Sequence, residues 1–459
     1  MSHKYPLIAA AVAAAFASQI AGAAVPTPAQ AAAPTASLVM SGSSAAAPAV
    51  ANFIENTLCG SSTNTLQVSS VGGSKNFLAY ACFLPAAITD PTGSGTAISS
   101  GSLVTVYYRT EGGSVVGALP IASGHTIKRL NLADSSCGGT GLTATCTISG
   151  VTATAGPNDT WTGAVVAATT QLGVTDVEPG QLINGDSPLP PNGNYATSAF
   201  GTANAKQMAA LSTSPLLQQV FGLVVNTSGQ AFSTVNLSRE SAANILTGQY
   251  ADWSQVPDAA TGASVSSSSS KITRVDRENG SGTRTATNIY FLGYQCSSTT
   301  NIANNAGETL NFSTGDELTL ANSTAGSIAY TSIDQIKNPA NGTKYPNLVL
   351  ASINSVPATN LAAAAGAYDF WFEATLVPNP SNSGTSLTLS DYLVANLPDL
   401  NSAPQLPDVN VIPGAAADNN PSVTTTGLAN NGKTGTLEVF VNPYTRGGNS
   451  CSVPTETNE

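Results

Sequence analysis

Apolar positions along the chain come in short runs separated by Gly-, Ser- and Asn-rich breaks. Several breaks join a strand-like run to a helix-like one. Leu38-Val39-Met40 passes through the small-residue turn Ser41 to Pro48 into Val50, Phe53, Ile54 and Leu58, which share one helix face. Leu66-Gln67-Val68 alternates as a strand does, and beyond Ser70-Val71-Gly72-Gly73-Ser74 the pattern predicts a helix from Asn76 to Phe83. A strand pair is expected at Leu103 to Tyr108 and Val115 to Leu119, a hairpin with Arg109 to Ser114 at its charged tip. Val220 to Asn226 is apolar and extended and reads as a crossing into a second domain. Leu237 to Gly248 is a capped helix with a glycine stop. Lys271 to Val275 is strand-like, Ala286, Ile289 and Tyr290 fall at i, i+3 and i+4 of a helix, and Ala367 to Glu373 reads as a return strand.

The stretch Val275-Asp276-Arg277-Glu278-Asn279-Gly280-Ser281-Gly282-Thr283-Arg284 holds the most chemistry. Strand, glycine-rich turn and helix in that order aim backbone N–H groups of a helix N-terminus beyond the strand end, an arrangement that favours an anion. Ser281 and Thr283 add hydroxyl donors, Gly280 and Gly282 permit close backbone approach, and Arg277 offers a planar fork for two hydrogen bonds to an oxyanion. An ordinary glycine turn beside a solvated arginine has the same spacing.

Composition narrows the setting. Met1 to Ala24 has a basic residue at Lys4, an alanine-rich apolar run from Pro6 to Ile20 and small residues Ala21-Gly22-Ala23, which reads as a secretory signal. Its removal leaves roughly 435 residues, enough for two domains. Val25 to Ala36 is expected to be a flexible leader. All six cysteines lie in the exported part, where disulfides are favoured, although six allow fifteen connectivities. Cys137 and Cys146 bracket a glycine turn as a local clip; Cys59 with Cys82 is the next pairing, leaving Cys296 with Cys451. Two histidines and no CxxC give little support to a zinc or redox site. A formal net charge of -11 and no basic cluster argue against nucleic acid or an anionic membrane as partner.

Arg277-x-x-Gly280-Ser281-Gly282-Thr283 resembles the anion loop of periplasmic phosphate-binding proteins, the soluble receptors of ABC phosphate transporters. The turn at Ser43, Ser44, Ala46 and Ala47 is similar to that family's first anion loop, with alanines where the family usually has a threonine and an apolar residue. Gly73 and Ser74 resemble its second loop. Gly173-Val174-Thr175-Asp176 resembles its Gly-x-Ser/Thr-Asp strand end, whose aspartate faces the ligand. Leu237 to Gly248 with Trp253, and Gly326 to Tyr330, are similar to packing elements of the same family.

The resemblance implies an α/β fold of the type 2 periplasmic binding protein kind. Lobe 1 would cover residues 37–224, with a β-rich, disulfide-containing insertion at about 85–170 that fits the family poorly. Lobe 2 would cover 225–374, and 375–459 would return to lobe 1 and form a tail. It further implies a phosphate site at Ser43, Ser44, Ala46, Ala47, Gly73, Ser74, Asp176, Arg277, Ser281, Gly282 and Thr283. An ionised aspartate only accepts hydrogen bonds, so Asp176 would select an oxyanion that still carries a proton. The expected protein is a monomeric, periplasmic or secreted solute receptor with no cofactor, no transmembrane anchor and possible delivery to an ABC permease. A weak phosphomonoesterase, or a structural or adhesive secreted protein that keeps the fold without the ligand, are the alternatives.

Overall fold

The computed structural model describes residues 25–150, 160–182, 200–302, 310–337, 344–397, 410–413, 439–442 and 444–456. The expected secretory signal falls on residues 1–24, outside the described residues.

The fold is a mixed α/β architecture built on a twelve-stranded sheet. In chain order its strands are β1 (Ala36–Gly42), β2 (Leu66–Val71), β3 (Phe77–Phe83), β4 (Leu103–Arg109), β5 (Thr143–Ser149), β6 (Thr162–Gly163), β7 (Leu172–Thr175), β8 (Ser214–Asn226), β9 (Thr273–Arg274), β10 (Ser327–Ser332), β11 (Leu348–Leu350) and β12 (Trp371–Pro378). They are arranged β9-β10-β8-β12-β7-β1-β4-β3-β2-β5-β6, with β11 on β8. β4, β1 and β7 are parallel neighbours, registered by Ser41 opposite Arg109 and by Gly42 opposite Val174. Their C-terminal ends therefore open at one level of the sheet. The long β8 pairs antiparallel with β12, which pairs with β7, so the sheet continues without a break into the part that carries β9 and β10. Near-continuous burial along β8 explains why its sequence is apolar rather than alternating.

Three expected elements are corrected. Phe77–Phe83 is a strand, paired antiparallel to both β2 and β4, and not a helix. Its aromatic and small residues alternate across a sheet whose two faces are both covered. Residues 72–76 are consequently a hairpin turn. The segment Val115 to Leu119 is not a strand: helix Ser114–Ser123 starts at Gly113, whose φ of 68° is open to glycine, and every residue from Ser114 to Ile121 is buried. A helix apolar on all sides carries no amphipathic period, which is why its sequence reads as a strand. The expected leader is also ordered. Helix Pro28–Ala31 is closed by a capping box from Thr27 and Gln30, Ala31 is fully buried, and the Thr105 hydroxyl donates to the Ala31 carbonyl at 2.8 Å.

The segment read as an insertion contains β4 at the middle of the sheet as well as the outlying strands with the Cys137–Cys146 disulfide. The other two expected pairs, Cys59–Cys82 and Cys296–Cys451, are formed too. After β12, helix Gly384–Asn396 returns to β1, burying Leu389 and Leu393 with Leu38 and Met40. The last described residues lie back on the sheet. Tyr444 lies against Gly366, and Arg446 donates to the carbonyls of Trp371 and Asp369, so this part of the tail sits on β12 and its approach.

Candidate functional site

The ends of β1, β4 and β7 build one wall. β1 runs into Ser43, β4 through Gly112-Gly113 into Ser114, and β7 into Asp176. Helix Ser114–Ser123 lies tight on this sheet because both partners are glycines at the contact. A Cβ on Gly173 would stand 1.9 Å from the Gly117 carbonyl oxygen, and one on Gly117 would stand 2.6 Å from that of Val174. The Asp176 backbone N–H donates to Ser114 Oγ at 3.0 Å, while Asp176 Oδ1 accepts a hydrogen bond from the Ser43 hydroxyl. Ser43 Oγ in turn accepts from the N–H groups of Ala45 and Ala46, at 3.1 and 3.0 Å. The hydroxyl thus satisfies donors at the start of helix Ala47–Phe53, whose N-cap, Ala46, has no side chain able to do so. Tyr108 fixes the turn by donating to the Ser43 carbonyl.

The opposite wall comes from the chain after β9 and from helix Thr314–Ser323. Ser281 is the N-cap of helix Gly282–Thr287, its Oγ accepting from the Arg284 N–H at 3.3 Å. Thr283 Oγ1 donates across to Asp176 Oδ2 at 3.3 Å. Gly282 faces Asp176 and Ser114 so closely that a Cβ would meet Ser114 Oγ at 2.2 Å and Asp176 Oδ2 at 2.6 Å. Arg277 is 1% exposed. Its Nε donates to the Asn311 carbonyl at 3.1 Å and its Nη1 to Thr314 Oγ1 at 3.0 Å. Nη2 reaches Ser44 Oγ of the first wall at 3.5 Å and lies 3.6 Å from Glu278 Oε1. Ser44 Oγ also accepts from the Thr314 N–H at 3.1 Å.

Burial sets the electrostatics. It pushes the Asp176 carboxyl above the ordinary aspartate range, opposed by hydrogen bonds from Ser43, Ser114 and Thr283 and by the Arg277 charge. Behind Arg277, burial holds Glu317 well above the usual carboxylate value, with Asp276 and Glu278 raising it further and Arg277 opposing. Tyr330 links the two layers: its hydroxyl accepts from the Arg277 N–H at 3.0 Å, and its own N–H donates to Glu317 Oε1 at 3.1 Å. The cluster therefore gathers one guanidinium, several hydroxyls and the Asp176 and Glu278 carboxylates where the two walls touch. That set can hold a small oxyanion on its donors while the Asp176 carboxylate accepts from a protonated oxygen.

Of the expected site residues, the structure brings together Ser43, Ser44, Ala46, Asp176, Arg277, Ser281, Gly282 and Thr283. Ala47 begins the helix behind Ser43. Gly73 and Ser74 are not brought in. A Cβ on Gly73 would stand 2.4 Å from the Trp161 ring, Ser74 Oγ accepts from the Asn76 N–H, and the Ser74 carbonyl accepts from Ser70, all contacts of the hairpin itself. Their place is taken by Gly113 and Ser114, whose Gly-Gly-Ser turn is visible in the sequence but reads there as a hairpin tip. Arg109 is held inside the first wall by Glu111 at 3.0 Å, and Glu111 also accepts from Trp161. Thr314 has no local signal, since only the fold carries it to Arg277. Among the described residues no group of three potential metal ligands occurs, and no helix is long and apolar enough to cross a membrane.

Residues 195–396 match the family model described as PBP superfamily domain. No curated protein sequence matches the chain. Among solved structures, the chain is similar to a Clostridium perfringens protein solved with bound phosphate, at 12% identity and TM-score 0.40, covering 78% of this chain and 92% of that one. It is also similar to PstS from Borrelia burgdorferi, at 12% identity, TM-score 0.32 and coverage of 80% and 92%. A third is a phosphate binding protein from Stenotrophomonas maltophilia, at 14% identity, TM-score 0.34 and coverage of 75% and 78%.

Proposed function

We propose that this chain is an exported solute-binding protein that captures phosphate, or a similar protonated oxyanion, between the Asp176 wall and the Arg277 wall, a reading supported by the match of residues 195–396 to the model described as PBP superfamily domain. The observation that carries this reading is the pairing of a buried aspartate and a buried arginine across the contact of Gly282 with Ser114. Arg277 neutralises the anion and offers its fork, which here faces oxygens of Thr314, Asn311 and Ser44 and the Glu278 carboxylate. The hydroxyls of Ser114 and Ser281 and the N–H groups at the two turns supply further donors, joined by Ser43 and Thr283 once an anion draws their protons away from Asp176. Asp176 supplies selectivity, since it repels an oxyanion with no proton to give.

In this reading the protein works outside the cytoplasm and hands its ligand to an ABC permease. Binding proceeds without covalent chemistry: closure of the two walls removes water, and opening releases the anion. The direct test is calorimetric titration of purified, phosphate-stripped mature protein with inorganic phosphate. Saturable one-site binding supports the proposal, and the absence of any binding heat together with an unchanged melting temperature overturns it.

A further inference from the structure

We propose that residues 444–451 form a strap that ties the two walls of the site together from behind. This rests on the reading of Asp176 and helix Gly282–Thr287 as facing walls. One end of the strap is on the Asp176 side. Glu178, two residues beyond Asp176, accepts a hydrogen bond from the N–H of Ser450, a residue only 3% exposed. The other end is covalent. Cys451 is bonded to Cys296, which follows the helix that begins at Gly282 and continues as a wider turn through Asn288–Leu292 to the left-handed Gly293. Consecutive residues, Ser450 and Cys451, therefore grip the continuations of both walls.

The middle of the strap is anchored as firmly as its ends. Arg446 is buried, with Nε donating to the Trp371 carbonyl at 3.0 Å, Nη2 to that of Asp369 at 2.8 Å and Nη1 to that of Ser452 at 2.6 Å. Its guanidinium lies over the Phe372 ring at 4.5 Å. Glu373 accepts from the N–H groups of Arg446 and Gly448 at 3.0 and 3.1 Å, and from the Thr445 hydroxyl. Trp371 to Glu373 belong to β12, the strand joining β7 and β8 across the middle of the sheet. The strap is thus fixed to the strand that lies between the two walls in the sheet, and its far end holds both of them. A segment whose only task was to cap a sheet edge would not need a disulfide to one wall and a half-buried carboxylate on the other.

Hydrogen exchange read by mass spectrometry tests this in the anion-free mature protein. In Cys296→Ser/Cys451→Ser, amides of residues 172–177 and 282–292 should exchange at least about tenfold faster, while those of β1 and β4 keep their rates. Glu178→Ala, which leaves the disulfide in place, should show the same pattern and keeps the test alive if the cysteine-free chain does not fold. Unchanged exchange in both segments overturns the proposal. So does uniform acceleration that includes β1 and β4, which would mark a general stabiliser instead of a strap. No anion is present in this experiment, so its outcome does not depend on whether the protein binds phosphate.

Discussion

Gly282→Ala is the sharpest probe of how the two walls meet. The added methyl would stand 2.2 Å from Ser114 Oγ, 2.6 Å from Asp176 Oδ2 and 2.7 Å from Asp176 Cβ, all three on the opposite wall. Alanine would otherwise be the better residue here, because glycine in a helix costs up to about 1 kcal/mol relative to alanine. The clash opposes that gain. Overpacking of a tight contact costs about 1–3 kcal/mol, and Asp176 is held in place by Ser43, Ser114 and Thr283, so it cannot simply turn away. Relief comes most cheaply by parting the walls. Thermal stability should therefore change little, as the two effects offset, whereas closure over an anion should suffer the full clash. Phosphate affinity is expected to fall about 5- to 150-fold, the equivalent of 1–3 kcal/mol. Gly315→Ala is the control: a Cβ there meets only Ser313 Oγ at 3.8 Å, so affinity should be unaltered. Calorimetry and thermal melts on both variants decide the matter. Wild-type affinity in Gly282→Ala would refute the reasoning that these walls close directly on each other.

Two further variants address the charges. Arg277→Ala should weaken phosphate binding by about 2–5 kcal/mol in calorimetry, the cost of removing one partner of a buried charge pair, and Arg277→Lys should recover only part because the fork is lost. For Glu317, burial favours the proton, so the folded state retains a proton that the unfolded chain gives up near 4.5. Its contribution to stability is complete below that value and is lost as pH rises toward the raised folded value. Melting temperatures across this range should fall with rising pH in wild type and fall less in Glu317→Gln, and parallel profiles would show that Glu317 is not the group responsible.

Much of the site is legible in the sequence because its chemistry is local. The Arg277 to Thr283 stretch carries its own glycines, cap and donors, and Asp176 sits at the end of a short apolar strand. The misplacements share one physical cause. A fully buried helix such as Ser114–Ser123 and a doubly covered strand such as Phe77–Phe83 both lose the one-sided pattern that distinguishes helix from strand, so each reads as the other. That exchange directs the expected second loop to Gly73-Ser74, whereas the structure sets Gly113-Ser114 beside Asp176 and Ser281. Thr314 and the tail contacts of Arg446 depend on long-range packing, and no residue near them in sequence announces either. The order of Pro28–Ala31 is hidden by an Ala/Pro/Thr composition, although Thr27 and Gln30 form a complete capping box around it.

The central claim is that a buried aspartate and a buried arginine hold one protonated oxyanion between them. The measurement that tests it most directly is the ratio of phosphate to sulfate affinity in wild type and in Asp176→Asn, taken by calorimetry at neutral pH. Sulfate brings no proton, so against Asp176 two acceptors would meet without a hydrogen between them in a dry cleft. Wild type should prefer phosphate by several kcal/mol, on the order of the penalty for a buried unpaired polar group. Asp176→Asn should narrow that gap mainly by admitting sulfate. Equal affinity for both anions in wild type, or a ratio that the substitution leaves unchanged, would contradict the account.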